Sequence, residues 1–220
     1  MTPRRVLLLR HGRTEWNAAG RFQGQADPPL DDIGRRQAAE AASLIAAMEP
    51  DLLVTSDLKR AVQTADALQM ITGMEARPEP RLRERGLGHW EGLTRDELAQ
   101  RYPDELADWT AGRDVTRRGG ETREEVATRA CAAFADLPAC ELAVLVSHSA
   151  TAVALTSALL RLDQTVHILG PLANCHWSEL ALEQSGWRLR AHNAGAARPV
   201  GPIPVVEAES PDAVVLDAEA

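Results

Sequence analysis

Val6-Leu7-Leu8-Leu9-Arg10-His11-Gly12-Arg13 decides how this chain folds. The aliphatic run Val6 to Leu9 reads as a buried strand. Gly12 then opens it into a loop at the carboxyl edge of a parallel sheet, where α/β proteins place their ligands. A guanidinium beside an imidazole at such an edge lowers the cost of bringing up an anion and raises that of binding a metal cation. It also favours the neutral, nucleophilic ring. Phosphate is the ligand that suits the pair best.

Outward from that run, short aliphatic stretches alternate with helical patterns. Arg5 to Leu9 is the first strand, and Asp31 or Asp32 caps a helix to about Met48 with Ala38, Ala41, Ala42, Leu44 and Ile45 on its apolar face. Leu52 to Thr55 is a second strand; Ser56-Asp57 caps a helix from Leu58 to about Ile71, setting Arg60 in its first turn. Thr72-Gly73 closes that helix, and Glu75 to Arg77 reads as a short edge strand ahead of Pro78 and Pro80. Residues 81–120 are polar, tryptophan-bearing and irregular, with short helices around Arg95 to Arg101 and Asp104 to Ala111, and read as a cap over the site. Thr122 and Glu125 form a capping box for a helix ending near Leu137-Pro138. Leu142 to Val146 is a third strand, apolar enough to be buried on both faces. His148 follows it at once, ahead of an apolar helix from Ala150 to Leu160. His176 to Leu182 and Trp187 to Ala191, turning at Ser185-Gly186, predict an antiparallel edge hairpin. The pattern predicts a three-layer α/β fold with a mostly parallel central sheet flanked by helices.

With 220 residues, 45% of them apolar, the chain has enough material for one domain with a substantial core, placed at residues 1–195. Pro199, Pro202, Pro204 and Pro211 among scattered acids mark 196–220 as a tail. The net charge of −8 argues against nucleic acid and anionic membrane as partners. No apolar run approaches a membrane span and the start lacks a signal-peptide core, so a cytoplasmic protein is expected. Cys131, Cys140 and Cys175 are too few and too scattered for a disulfide frame or a zinc site.

Three strand ends thus present ionisable groups at one topological position: Arg10 and His11, then Arg60, then His148. Read singly, Arg60 also suits a solvated helix start and His148 a helix cap; their convergence argues for a site, and guanidinium forks match phosphate oxygens. The first motif continues through Thr14, Trp16 and Asn17 to Arg21-Phe22-Gln23-Gly24. Leu82-Arg83-Glu84 precedes Gly86, Gly88, Trp90, Glu91 and Gly92. Ser56-Asp57-Leu58-Lys59-Arg60-Ala61 with Thr64-Ala65, Gly119-Gly120-Glu121, Val146-Ser147-His148 and Asn174 complete the series.

These motifs, in this order, resemble the histidine phosphatase superfamily, whose members are also called phosphoglycerate mutase-like. The resemblance implies a phosphomonoester hydrolase that needs no metal or cofactor. His11 would attack phosphorus and become a phosphohistidine. Arg10, Arg60, His148 and Asn17 would hold the phosphoryl oxygens, assisted by Gln23 and Thr14. Glu84 would protonate the leaving group and then activate water, its pKa raised by burial and by the phosphate; the residues alone also allow a surface carboxylate paired with Arg83 or Arg85. His89 and Glu91 are alternative acids. The short separation of Glu84 from His148 is similar to the phosphatase branch rather than to mutases, which carry a longer insertion. Arg117-Arg118 offers either a contact for a substrate carboxylate or an exposed basic pair. The first ninety residues are most similar to actinobacterial glucosyl-3-phosphoglycerate phosphatases. Arg13 stands where Glu or Gln is usual, and Ser149-Ala150 where Gly is frequent. Mutase-type phosphoryl transfer and a non-catalytic phospho-ligand binding protein are the alternatives, and a small phosphorylated substrate is the expected partner, a homodimer being compatible with it. A zinc hydrolase would need carboxylate or thiolate company for its histidines, where these have arginines. Trp16, Phe22, Trp90 and Trp109 read equally as an entrance lining or as packing.

Overall fold

The residues of the opening run alternate between two apolar layers, as a strand's period of two requires. The computed structural model describes residues 2–163 and 168–196. Its elements run β1 (Arg5–Arg10), α1 (Glu15–Ala18), α2 (Asp32–Ala46), β2 (Leu52–Thr55), α3 (Lys59–Thr72) and β3 (Arg77–Pro78). Then follow α4 (Arg95–Arg101), α5 (Pro103–Thr110), α6 (Arg123–Ala135), β4 (Leu142–Ser147), α7 (Ser149–Leu159), β5 (Trp177–Glu183) and β6 (Gly186–Ala194). The sheet order is β3-β2-β4-β1-β5-β6. The first four strands in that order are parallel, and β5 and β6 form the antiparallel hairpin at one edge.

Leu7 and Leu9 of β1 share a core with Val144 and Val146 of β4 and with the small residues Ala38, Ala41, Ala61 and Ala65 of α2 and α3. Val6, Leu8, Ala143 and Leu145 point the other way, into a core with Ala130 and Phe134 of α6 and Ala152 and Leu155 of α7. The protein is therefore the expected three-layer α/β fold. No described helix is long and apolar enough to cross a membrane.

Several boundaries differ from the sequence expectation for physical reasons. Ser56-Asp57 does not cap α3. The N-cap position is Leu58, without a side-chain cap, and Asp27, from a distant loop, accepts from the Lys59 N–H at 2.7 Å instead. Arg60 still lies in the first turn. The edge strand pairs at Arg77 and Pro78 rather than over Glu75 to Arg77, because at an edge Pro78 needs no ladder donor. Helix α6 stops at Ala135, before Leu137-Pro138. The tail at 197–220 lies outside the described residues.

Residues 87–115 carry an apolar cluster of their own, built on Trp90, Leu98, Leu106 and Val115 with Phe22 and Trp109 packed against it. Trp90 is completely buried. Its indole N–H donates to Glu105 Oε2 at 2.7 Å, and the Arg118 guanidinium lies 5.2 Å from its ring. Trp90, Trp109 and Phe22 meet edge to face, so these aromatics are packing, not an entrance lining. Trp90→Ala should cost about 3–5 kcal/mol of stability, measured by urea unfolding; a loss under 1 kcal/mol would mean that this cluster does not support the fold.

Candidate active site

Because β4 lies between β1 and β2, the carboxyl ends of the three strands meet, and the four expected residues meet with them. His11, Arg60 and His148 are buried and Arg10 is partly buried. The imidazoles of His11 and His148 are neighbours, tilted by 57° with ring centroids 5.1 Å apart. His11 Nδ1 lies 2.7 Å from its neighbour's carbonyl, Gly12 O. A carbonyl only accepts, so Nδ1 carries the proton and Nε2 keeps its lone pair. Nε2 of His148 is 2.9 Å from Ser56 Oγ.

Each guanidinium is held by main-chain carbonyls rather than by a carboxylate. Arg10 donates to Leu172 O at 2.5 Å, and Arg60 to Ala26 O at 2.6 Å and Gly24 O at 2.8 Å. Neutral acceptors leave both positive charges unspent. Three buried nitrogens here, Arg10 Nε, Arg60 Nε and His148 Nδ1, have no hydrogen-bond partner among the described residues. Burial, then the charges of Arg60 and Arg10, hold the His11 pKa well below its usual 6.5. Burial, Arg60, His11 and Arg10 do the same to His148. Burial pulls Arg60 down to about 10 against the opposing charges of Glu84 and Asp27. Arg10 is lowered by burial too, with Glu84 opposing.

Glu84 reaches this site from the cap side. Its Oε1 accepts from the Arg85 N–H at 2.8 Å and its Oε2 from the Ala150 N–H of α7 at 3.3 Å. The pairing with Arg83 or Arg85 that would make it a surface carboxylate is absent. Arg83 forms a fork on Asp57 at 2.8 and 2.6 Å, and Arg85 pairs with Asp114. Glu84 is half-buried rather than covered. The two alternative acids are engaged elsewhere: His89 donates to Glu105 at 3.0 Å, and Glu91 Oε1 accepts from the Gln25 and Leu87 N–H groups.

The loop after β1 supplies the remaining expected groups. Thr14 caps α1, and its hydroxyl lies 3.1 Å from Gln23 Oε1. Asn17 Oδ1 accepts from the Thr14 N–H at 3.1 Å and from Asn174 Nδ2 at 3.3 Å. Asn174 also donates to His11 O at 3.1 Å. Gly12 packs directly on α2, where a Cβ would meet Gly34 O at 2.5 Å, so no other residue allows this approach. Ser56 and Thr64, which accepts from the Gly12 N–H at 3.0 Å, stand in the motif series without a site role of their own, and the carbonyls of Gly24, Ala26 and Leu172 are outside anything the motifs predict. Ser56 had been assigned to a helix cap, and backbone carbonyls have no sequence signal. Arg117 is exposed and pairs with Asp108 at 2.6 Å, whereas Arg118 is buried, so the two do not form an exposed basic pair.

A family model for the histidine phosphatase superfamily (branch 1) matches residues 6–195. The chain belongs to this superfamily. Among its relatives, the glucosyl-3-phosphoglycerate phosphatase of Mycobacterium tuberculosis is 37% identical over 89% of this chain and 97% of its own length. The enzyme of that name from Mycolicibacterium vanbaalenii is 38% identical over the same shares. The solved structure of the mycobacterial glucosyl-3-phosphoglycerate phosphatase in complex with VO3 superposes with a TM-score of 0.78, at 37% identity, over 87% of this chain and all of that one. As a histidine phosphatase with these relatives, the chain is a phosphoric monoester hydrolase.

Two buried neutral imidazoles set the acid stability of the phosphatase in phosphate-free buffer. The unfolded chain protonates both histidines near 6.5 and the folded protein only well below it. The unfolded state therefore binds more protons as pH falls through that value, and stability drops. The slope should reach about 1.4 kcal/mol per pH unit for each histidine. Urea unfolding on either side of the usual histidine value measures it, and His148→Gln should flatten it; an unaltered slope would assign the loss to carboxylates.

Proposed function

We propose that this protein hydrolyses a phosphorylated sugar acid, glucosyl-3-phosphoglycerate or a close analogue from the cytoplasmic pool, through a phosphohistidine on His11 and without a metal. The observation that carries the reading is the cluster of buried cationic and imidazole nitrogens at Arg10, Arg60 and His148 with no hydrogen-bond partner among the described residues. Donors shielded from water and aimed at no protein group are suited to an oxyanion, and they stabilise charge developing on equatorial phosphoryl oxygens. Similarity to the mycobacterial enzymes supports the substrate class.

The chemistry runs in two steps. His11 Nε2, its lone pair free, attacks phosphorus as the P–O bond to the leaving group breaks, and the proton of the Glu84 carboxyl passes to the departing oxygen. Arg10, Arg60 and His148 hold the phosphoryl oxygens. The Asn17 oxygen is taken by Thr14 and Asn174, which leaves its NH2 as the donor toward phosphate; Gln23 and Thr14 brace this loop. Glu84, now ionised, takes a proton from water, whose oxygen attacks the phosphohistidine and releases phosphate and free His11. Residues 1–195 form the catalytic domain with 81–120 as its cap insertion, a division supported by the span of the family match and by the cap's own apolar cluster.

EDTA-treated protein should release phosphate from p-nitrophenyl phosphate and from glucosyl-3-phosphoglycerate. His11→Ala should abolish turnover, Glu84→Gln should lower it about 10²–10⁴-fold, and Arg60→Ala about 10²–10³-fold. Isomer exchange of 3-phosphoglycerate without release would favour a mutase, binding without either would favour a phospho-ligand binding protein, and full activity in His11→Ala would overturn the assignment.

A further inference from the structure

The proposed acid, Glu84, sits on an irregular segment with no ladder to hold it, yet every carbonyl from residue 81 to 84 is gripped. Nη1 of Arg129, on α6, donates to Arg81 O at 2.6 Å and to Arg83 O at 2.7 Å. Its Nη2 donates to Glu84 O at 3.0 Å and to Glu121 Oε2 at 2.9 Å, and its Nε to Glu121 Oε1 at 2.7 Å. Ser147 and Thr151 take Leu82 O and Arg83 O, each at 2.7 Å. Glu121 completes the grip, accepting from the Gly86 N–H at 2.7 Å and from Gln25, whose amide also donates to Glu84 O. Burial pushes the Glu121 carboxyl up, but Arg129 and the Gly86 N–H outweigh it and hold it below the usual carboxylate range. The pair is an ionised one.

From this geometry we propose that Arg129, locked by Glu121, is a positioning residue for the Glu84 carboxyl: it fixes the backbone that aims the acid without touching the reacting atoms. The proposal rests on Glu84 being the proton donor. A planar fork with donors in two directions can span carbonyls 81, 83 and 84 and a carboxylate together; the single ammonium of lysine cannot. A displacement of about 1 Å at a reacting group is enough to cost on the order of 10²-fold.

The leaving group separates positioning from general damage. An alkoxide must be protonated as it departs, whereas p-nitrophenolate leaves unaided, so kcat/KM for an alkyl ester depends on the acid and kcat/KM for p-nitrophenyl phosphate does not. Arg129→Lys should lower kcat/KM about 10²-fold for the better alkyl ester of 3-phosphoglycerate and glucosyl-3-phosphoglycerate. It should change kcat/KM for p-nitrophenyl phosphate less than about threefold while producing a burst of p-nitrophenol, since the phosphohistidine then waits for its base. Glu84→Gln should behave alike, and the double variant should be no worse than Glu84→Gln alone. If Arg129→Lys does not fold, Glu121→Gln reads the same contrast. Equal losses on both esters, or additive losses in the double variant, would overturn the positioning role alone. A Glu84→Gln enzyme with normal kcat/KM on the alkyl ester would overturn the acid assignment, and this proposal with it.

Discussion

Holding two guanidiniums and two imidazoles together away from solvent is the constraint around which this protein is built. Burial disfavours each charged form, and the like charges disfavour one another. The protein meets the problem in two ways. The imidazoles stay neutral, their pKa values driven down by burial first and then by the arginines beside them. The arginines stay charged, held by carbonyl dipoles at Leu172, Gly24 and Ala26. A carboxylate in place of those carbonyls would satisfy the guanidiniums equally well and cancel the field that an anion needs.

That solution dictates the loops. Residues 22–27 must bend so that two carbonyls converge on Arg60, and the same loop sends Asp27 to the N-terminus of α3, where Arg60 begins. The stretch 172–175 must pass over β1, and it binds there through Leu172 O, through Asn174 and through the Cys175 N–H on Arg10 O. Cys175 is thereby buried and its thiol pushed up to about 12 by burial, which makes it structural rather than nucleophilic. Residues 87–115 stand apart, packing as a separate cluster around Trp90 just after the segment that carries Glu84.

Chemistry that is contiguous in the chain was legible in the sequence. Arg10 and His11 sit next to each other, the strand before them is unmistakable, and His148 follows a strand of six buried residues. Arg60 was legible because it opens a helix, although the reason for its helix start was not. The serine expected as a cap is spent on His148 and the aspartate on Arg83, while the cap comes from Asp27. Partnerships across long sequence distances have no periodicity to reveal them. The same limit hid the carbonyl cages, left open whether Trp90 was entrance lining or packing, and hid the burial of Arg118 against that ring.

The two departures from the family pattern can now be weighed by what they touch. Arg13 pairs with Asp31 at 2.8 Å, the N-cap of α2, and so braces the helix that Gly12 packs upon. Ser149 Oγ accepts from the Leu172 N–H at 3.0 Å, and the carbonyl of that same residue receives Arg10. The hydroxyl that replaces a hydrogen thus strengthens the support of Arg10, while Ala150 still donates its N–H to Glu84. Neither side chain joins the cluster of acceptor-free nitrogens. Discrimination among phosphate esters must then come from groups beyond that cluster, on the side where Glu84 stands.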